Sequence, residues 1–362
     1  MVRRKDYDEA ALRAQEESTG VSFTHSLRAV NGIVTKPVSK QDRSVTVKTV
    51  GLLPDVRDRD TLVSLGKMTY NAYLEVGGEG WYDLGERYDL NKSYGWDSDG
   101  LRGHVFLDND EEVLIIAIKG TSMGFLGGGG PTVPRDKQND NRLFSCCCAR
   151  VGPSWRTVCD CFIEDGSCNQ TCLEDSVDEE RLYIDEAAIL FEELSALYPG
   201  VHVWLTGHSL GGSLAGLVGL TYYYPVVAFE APPERLAASR LHLPKPPAYP
   251  YEEMNIWHVG HSADSLYQGA CNGVGSSCWI AGYAMETHCH SGMSIIYDTV
   301  AKYSWSVGVR YHRIKDVIER VLEAWDEPVP EPAVEEDCVD CGWWDFLDDN
   351  EEPGSKSMCK RK

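Results

Sequence analysis

The stretch VHVWLTGHSLGGSLAG, residues 201–216, constrains the fold of this chain more than any other part of the sequence. A Val-rich apolar segment runs into a Gly-x-Ser-x-Gly pattern centred on Ser209, and a segment of small and apolar residues follows. This order predicts a buried strand, a tight turn through His208 that lifts Ser209 above a sheet, and a helix behind it. Gly207 and Gly211 suit this turn because a Cβ atom at either position would clash. The pentapeptide also occurs by chance, so the rest of the chain must decide whether Ser209 is a nucleophile.

Segments with strand patterns alternate with segments of helical periodicity along much of the chain. The predicted strands, in addition to residues 201–206, are residues 112–122, 225–233 and 255–261. The predicted helices are residues 61–76, 177–198, 210–222 and 310–325. The apolar run in 112–122 is continuous, as is typical of a strand buried on both faces. This alternation predicts an α/β fold with a central, mostly parallel sheet flanked by helices.

Two residues downstream of Ser209 are candidates to activate it. A serine hydroxyl needs a base to take its proton, and folds with this turn place an acid and then a histidine after the serine. Asp264 follows the predicted strand 255–261 within a few residues and is the preferred acid, with Asp298 as the alternative. His312 is the last histidine of the chain and stands at the start of a predicted helix, so it is the predicted base.

The negative charge that forms during attack on a carbonyl needs hydrogen-bond donors. The backbone N–H of Leu210, at the start of the predicted helix, is one candidate. Thr121, which ends the predicted strand 112–122, offers a backbone N–H and a hydroxyl as a second. The alternative interpretation is that Gly120 and Thr121 form an ordinary strand-ending turn.

The remaining histidines and acids near these motifs have structural interpretations. His208 lies inside the turn and need not take part in catalysis. His258 and His261 alternate on one predicted strand, which favours packing or hydrogen bonding. Asp316 lies inside a predicted helix, which favours a surface or capping role.

Thirteen cysteines indicate disulfides in an oxidising compartment. Seven of them fall within residues 146–172, and no C-x2-C pair is matched by another at zinc-finger spacing. Disulfides are therefore preferred over a metal site, and the predicted chemistry needs neither a metal nor an organic cofactor. The glycosylation sequons at Asn91 and Asn169 agree with a secretory route.

The charge balance excludes nucleic acid as a partner. The chain has 34 basic and 56 acidic residues, a net charge of −22, which repels phosphate backbones. The excess of acid suits an acidic compartment and equally well serves solubility. The first 20 residues lack the apolar core of a signal peptide, and no run of about 18 apolar residues is present. Because the cysteines indicate a secretory route, we expect a targeting segment that this sequence lacks.

Composition divides the chain into three parts. Residues 1–49 are predicted to be a partly ordered N-terminal extension. Residues 50–325 are predicted to form the folded domain, with a cysteine-rich insert at 146–172. From residue 326 the chain is rich in Pro and acidic residues, so residues 326–362 are predicted to be a flexible tail.

Longer stretches between about residues 50 and 342 are more specific than the pentapeptide. They are IKGTS, NDNRLFSCCCARV, WLTGHSLGGSLAGLVG, PVVAFEAPPERLAASRLHLP, HVGHSAD, CNGVGSSCWIAGYAMETHCHSG, WSVGVRYHRIKDVIERVL and EEDCVDC. In these stretches the chain resembles the class 3 (fungal) lipase family, and within it the autophagy-related vacuolar lipases. The resemblance implies an α/β-hydrolase fold, a triad of Ser209, Asp264 and His312, and an oxyanion-hole role at Thr121. It also implies an N-terminal membrane anchor, delivery through the endomembrane system, and a vacuole- or lysosome-like lumen.

The expected function is that of a serine ester hydrolase acting on lipid. Triacylglycerol, phospholipid or both are the expected substrates, and the resemblance implies lysis of autophagic or multivesicular-body membranes. A soluble carboxylesterase or a peptidase on the same fold is the first alternative, and a non-catalytic binding module is the second. The Gly-rich segment 124–134 and the cysteine-rich insert 146–172 are expected to form a lid over the acyl site.

Overall fold

The computed structural model describes residues 28–37, 46–85, 87–122, 130–148, 158–164, 166–178 and 182–348. The strands are β1 (Ala29–Pro37), β2 (Thr46–Pro54), β3 (Tyr88–Tyr94), β4 (Gly103–Asp108), β5 (Val113–Ile118), β6 (Ser167–Asn169), β7 (His202–His208), β8 (Val226–Phe229), β9 (Ile256–His261), β10 (Met293–Tyr297) and β11 (Asp345–Leu347). The α-helices are α1 (Arg59–Asn71), α2 (Val133–Phe144), α3 (Gln170–Val177), α4 (Tyr183–Leu197), α5 (Leu210–Tyr222), α6 (Arg235–Arg240), α7 (Ser277–Ala281), α8 (Thr299–Tyr303) and α9 (Ile314–Asp316). Short 3₁₀ turns span Tyr251–Glu253 and Val309–Tyr311, and a π-helical turn, Val317–Leu322, continues α9.

The central sheet of the described chain has seven strands in the order β10-β9-β8-β7-β5-β4-β3. The strands from β10 to β5 run parallel, and β4 and β3 are added antiparallel at one side. Because parallel strands end at the same edge, the residues that follow β7, β8 and β9 are brought together there. This architecture confirms the predicted α/β-hydrolase fold class.

Helices cover both faces of the sheet. On one face α4 and α5 contribute side chains such as Phe191 and Leu214 to a buried cluster. On the other, α1 and the π-helical turn contribute side chains such as Leu65 and Ile318. Burial of each such side chain stabilises the fold by roughly 1.5–3 kcal/mol, so the helices fix the sheet from both sides.

Small residues let α5 approach the sheet closely. A Cβ atom on Gly219 would lie 2.3 Å from Cγ2 of Val226, and one on Gly212 would lie 2.9 Å from the carbonyl oxygen of Gly207. The glycines of GHSLGGSLAGLVG therefore set the distance between the helix and strands β7 and β8.

Two predicted helices differ from the structure. The helix predicted at residues 177–198 begins later than expected, because Val177 is the last residue of α3 and α4 begins at Tyr183. The side chain of Asn139 accepts the backbone N–H of Tyr183 at 2.7 Å, which fixes the start of α4. The helix predicted at 310–325 is broken into a 3₁₀ turn, α9 and a π-helical turn. Its predicted apolar face is nevertheless buried: Ile314, Val317, Ile318, Val321 and Leu322.

The cysteines of the described chain are paired, which confirms the prediction of disulfides. The pairs are Cys146–Cys341, Cys147–Cys168, Cys148–Cys159, Cys161–Cys172, Cys271–Cys278 and Cys289–Cys338. Cys359 lies outside the described residues.

The segment after residue 325 is attached to the body as far as Asp348. Two disulfides, Cys146–Cys341 and Cys289–Cys338, join it to the domain, and β11 pairs in parallel with β6. The prediction of a flexible tail is therefore wrong for residues 326–348, because covalent bonds and strand pairing hold a segment that composition alone assigns to solvent. Residues 349–362 lie outside the described residues.

At the other end, β1 and β2 form an antiparallel hairpin. It spans the predicted boundary at residue 49, so the predicted extension and domain share one element. Residues 1–27 lie outside the described residues. No described helix has the length and apolar character needed to cross a membrane.

Candidate active site

Ser209 stands at a sharp turn between β7 and α5. Its backbone has φ 55° and ψ −134°, a conformation that costs a non-glycine residue about 1–3 kcal/mol. A Cβ atom on Gly207 would lie 2.3 Å from the carbonyl oxygen of Gly211, and one on Gly211 would lie 2.3 Å from that of Ile118. Both positions therefore require glycine, and the strained turn has the geometry of a nucleophile elbow.

The structure brings together the three predicted catalytic side chains. The Oγ atom of Ser209 lies 2.9 Å from Nε2 of His312, and Nδ1 of His312 lies 2.7 Å from Oδ2 of Asp264. Asp264 follows β9, and His312 lies between the 3₁₀ turn Val309–Tyr311 and α9. Ser209 is 5% exposed, whereas Asp264 and His312 are 0% exposed. This is the arrangement of a nucleophile, a base and an orienting acid.

The alternative acid, Asp298, does not join this group. Its side chain caps α8 by accepting the backbone N–H of Ala301 at 3.0 Å, and it also accepts the hydroxyl of Ser262 at 2.8 Å. It is exposed, and these hydrogen bonds lower its pKa. Asp316, in α9, is also absent from the site. Its Oδ1 lies 3.6 Å from Nη1 of Arg320.

Asp264 is held as a buried anion. Burial opposes its charge, but the attraction of His312 and the hydrogen bonds that Asp264 accepts outweigh this, so its pKa is lowered to about 2. The backbone N–H of Leu266 donates to Oδ1 at 2.9 Å, which leaves Oδ2 for the imidazole. Asp264 is therefore oriented from both sides, and it fixes the tautomer of His312 with the proton on Nδ1.

His208 supports the loop that carries the base. Its Nε2–H donates to the backbone carbonyl of His312 at 2.7 Å, and its Nδ1 accepts the hydroxyl of Tyr73 at 2.7 Å. Burial lowers the pKa of His208 to about 3, so its ring is neutral. The histidine of the turn thus acts on the backbone of His312 and does not contact the serine hydroxyl.

The loop after β5 lies against the nucleophile. A Cβ atom on Gly120 would lie 3.1 Å from Cβ of Ser209, so Thr121 is adjacent to the site. The Thr121 hydroxyl donates to Oδ2 of Asp140 at 2.7 Å, so of the two predicted oxyanion donors of Thr121 the hydroxyl is engaged by Asp140. Leu210 is the first residue of α5, where backbone N–H groups and the helix dipole favour negative charge.

Comparison with known proteins identifies the family. The family model described as lipase (class 3) matches residues 176–227, which include the elbow. Curated relatives named "Putative lipase ATG15" are 50% identical in Cryptococcus neoformans var. neoformans serotype D (strain B-3501A) and 46% identical in Candida albicans (strain SC5314 / ATCC MYA-2876). The first match covers 82% of this chain and 57% of the relative, and the second covers 84% and 54%. The chain belongs to the class 3 lipase family. It spans little more than half the length of these relatives.

Solved structures of fungal lipases give more distant matches. The Lip2 lipase of Yarrowia lipolytica is 13% identical with a TM-score of 0.37, over 74% of this chain and 83% of that chain. The Rhizomucor miehei lipase propeptide complex is 15% identical with a TM-score of 0.34, over 65% and 67%. The fold assignment rests on the strand order and the elbow of the described chain.

Sequence reasoning missed the residues that hold the loop carrying Thr121, the predicted oxyanion-hole residue. Asp136 at the start of α2 accepts the backbone N–H of Ser122 at 2.8 Å, and Nζ of Lys119 donates to the carbonyl of Gly120 at 2.8 Å. Burial raises the pKa of Asp140 to about 8 and lowers the pKa of Lys119. The motif NDNRLF contains Asp140, so family resemblance indicated this stretch without indicating its role.

The histidines assigned to packing are buried away from the serine. Nε2 of His258 lies 3.2 Å from Oε1 of Glu234, and Nε2–H of His261 donates to the carbonyl of Tyr311 at 3.2 Å. Both histidines are 0% exposed, and neither contacts Ser209.

Other predicted features lie partly outside the described residues. Of the predicted lid, residues 124–129, 149–157 and 165 lie outside the described residues. Asn91 is exposed and accepts the hydroxyl of Tyr198 at 2.5 Å, whereas Asn169 caps α3 by accepting the backbone N–H of Cys172 at 2.7 Å.

The described chain has one cluster of three potential metal ligands within 4.8 Å of one another, and each sulfur in it is in a disulfide: Cys148, Cys159 and Cys161.

Proposed function

We propose that this protein is a serine hydrolase of lipid esters, acting on triacylglycerol, phospholipid or both. The observation that carries the proposal is the contact of Ser209 Oγ with His312 Nε2 at 2.9 Å, on an elbow, with Asp264 on the far side of the imidazole at 2.7 Å. Membership of the class 3 lipase family and the name lipase given to the curated relatives support lipid as the substrate.

In the first step Ser209 attacks the acyl carbonyl while Nε2 of His312 takes the hydroxyl proton. Asp264 accepts the Nδ1–H and stabilises the imidazolium that forms. The backbone N–H groups of Leu210 and Thr121 bind the oxyanion, and His312 then gives the proton to the leaving alcohol. In the second step His312 activates a water molecule that releases the fatty acid from Ser209.

The proposal extends to the biological setting on family resemblance. We place the enzyme in an acidic, vacuole- or lysosome-like lumen reached through the endomembrane route, where it lyses autophagic or multivesicular-body membranes. The disulfides of the described chain and the sequons at Asn91 and Asn169 support an oxidising secretory route. A membrane anchor, expected from the family, would bring the enzyme to its lipid surface.

The test compares the purified protein with Ser209→Ala and with a matched serine control, Ser239→Ala, whose hydroxyl accepts a hydrogen bond from Lys245. Fatty-acid release is measured from phosphatidylcholine vesicles and from triolein emulsions at pH 5 and pH 7. Ser209→Ala should lose at least about 10⁴-fold in rate, with unchanged circular dichroism, while the control keeps its activity. Full activity of Ser209→Ala would refute the assignment.

The same assay separates the alternatives. A soluble carboxylesterase would cleave short p-nitrophenyl esters and leave both lipid substrates intact. A peptidase would release amines from peptide substrates and no fatty acid. A binding module would cleave none of these substrates, and each of these results would contradict lipid hydrolysis.

A further inference from the structure

A second buried carboxyl group lies beside the triad aspartate. Glu230 directly follows β8, one strand along from Asp264, and both side chains are 0% exposed. The backbone N–H of Glu230 donates to the carbonyl of Val259 at 2.9 Å, which holds the residue against β9. Its carboxyl group is within hydrogen-bonding reach of the carboxylate of Asp264. The catalytic steps described above give Glu230 no role.

The ion pairs of the described residues give Glu230 one partner, His261, whose Nε2 lies 3.8 Å from Oε1. That nitrogen donates its proton to the carbonyl of Tyr311, and Nδ1 of His261 accepts the backbone N–H of Ala263 at 3.2 Å. An imidazole with one donor and one acceptor nitrogen is neutral. Burial lowers the pKa of His261, so it remains neutral. Among the described residues, Glu230 therefore has no cation to balance a charge, and an unbalanced buried charge is costly.

The two carboxyl oxygens of Glu230 also differ in their hydrogen bonding. Oε2 accepts the backbone N–H of His261 at 3.4 Å, whereas Oε1 is buried and accepts no hydrogen bond. A proton on the carboxyl group of Glu230 would have the carboxylate of Asp264 as its acceptor. Burial, followed by the charge and hydrogen bonding of Asp264, raises the pKa of Glu230 well above its ordinary value of 4.5.

We infer that Glu230 is a positioning residue: a neutral carboxylic acid that donates a hydrogen bond to Asp264 and thereby tunes how strongly Asp264 holds the proton of His312. The inference rests on the proposed hydrolase mechanism. With the N–H groups of Leu266 and His312, Asp264 then has three donors on its carboxylate. A carboxylate that loses one donor becomes a stronger base and holds the imidazolium more tightly.

The other titratable groups around the triad do not obscure the effect of Glu230 on the acid limb of the pH profile. His208 faces His312 from the elbow and is neutral, because burial lowers its pKa to about 3. His261 faces Asp264 from β9 and is neutral, as argued above. Asp316 acts on this region from α9, and Tyr73 contacts His208. All four residues are unchanged in the variants below.

The test measures the rate at which a fluorophosphonate probe labels Ser209 between pH 4 and pH 9, because this reaction needs His312 as a base and needs no lipid. Two variants are compared with the parent: Glu230→Gln, which keeps a neutral donor, and Glu230→Leu, which removes it. Asp298→Asn is the matched control. It removes a carboxylate that follows β10, the strand paired with β9, and that does not contact the triad.

Glu230→Leu should slow labelling by about 10-fold and move the acid limb of the profile to higher pH. Glu230→Gln and Asp298→Asn should leave the acid limb in place. If Glu230 were ionised, both Glu230 variants would lose a negative charge and the limb would move to lower pH, which would overturn the inference. Slower labelling of Glu230→Leu with no movement of the limb indicates support of the fold alone and would also overturn it.

The test still decides the role of Glu230 if one variant does not fold or if the protein cleaves no lipid ester. If Glu230→Leu does not fold, the profile of Glu230→Gln decides, because only an ionised Glu230 shifts the limb downwards on this substitution. If the parent labels at Ser209 but cleaves no lipid ester, the proposed function fails, whereas the labelling profiles still decide the role of Glu230.

Discussion

Glu335, in the C-terminal segment, makes an ion pair whose contribution to stability can be measured. Its Oε1 lies 2.8 Å from Nδ1 of His290 and accepts the hydroxyl of Ser294 at 2.7 Å, and its Oε2 accepts the backbone N–H of His290 at 2.9 Å. The histidine side chain is 3% exposed and that of Glu335 is 21% exposed. Substitution Glu335→Gln keeps the shape of the side chain and removes the charge, so it isolates the electrostatic part of this attachment.

The pKa shifts give the size and the pH window of the effect. Burial opposes both charges, but mutual attraction and hydrogen bonding prevail, so the pKa of Glu335 falls from 4.5 to about 2 and the pKa of His290 rises above 6.5. The contribution of Glu335 is present above pH 4.5 and is lost as pH falls towards 2. The contribution of His290 is present below pH 6.5 and is lost as pH rises through its raised value. The lowered pKa of Glu335 corresponds to about 3 kcal/mol, which its partial exposure reduces to about 2 kcal/mol.

The assay is urea unfolding followed by tryptophan fluorescence, at pH 5.5 and at pH 8.5, with the disulfides intact. Glu335→Gln should lower the free energy of unfolding by about 2 kcal/mol at pH 5.5 and by less at pH 8.5. Glu331→Gln, in the same segment, is the control, because its pair with Arg57 is exposed and contributes little. An equal loss for Glu335→Gln at both pH values would refute the reasoning, since a contribution from a protonated His290 must depend on pH.

Three further predictions concern the active site. Asp264→Asn should slow ester hydrolysis by about 10⁴-fold, because an amide N–H facing Nδ1 favours the wrong tautomer of His312; near-normal kinetics on p-nitrophenyl butyrate would contradict this. Gly211→Ala should destabilise the fold by more than about 4 kcal/mol or prevent soluble expression, because its Cβ would lie 2.3 Å from the carbonyl oxygen of Ile118; a normal melting temperature would exclude the elbow geometry. Asp140 has a pKa raised from 3.8 to about 8, so ionisation progressively costs the folded state stability between these pH values. The free energy of unfolding of Asp140→Asn should therefore fall less than that of the parent between pH 4 and pH 8 in denaturant titrations, and parallel pH profiles would show that Asp140 is not held neutral.

The sequence predicts the elements of this fold where local pattern and burial agree. The apolar strand β7, the glycine pattern and the small-residue helix α5 all point to the same turn, so residues 210–222 coincide with the helix found. Asp264 was preferred to Asp298 because it follows the predicted strand 255–261 within a few residues, and His312 followed from the required order of residues. These inferences need only the spacing of apolar residues and the order of the serine, acid and histidine along the chain.

The residues that hold the site could not be predicted in the same way. Glu230, Asp136 and Asp140 resemble surface acids in the sequence, and their burial depends on which elements pack over them. Disulfide pairing also depends on the tertiary structure, since the sequence lists cysteines without their partners. The attachment of residues 326–348 follows from that pairing, so composition alone gave the wrong expectation.

The Cys146–Cys341 bond spans 195 residues, and Ser209, Asp264 and His312 all lie between its two ends. A peptide bond cut anywhere inside this interval leaves two fragments that remain joined through sulfur. The exposed residues 245–248 lie between the serine and the aspartate, so a cut there would separate them along the backbone while leaving them in one covalent molecule. Such a nicked enzyme would migrate as two smaller bands only after reduction. In the degradative lumen proposed for it, this covalent ring would let the triad outlast the first proteolytic cuts.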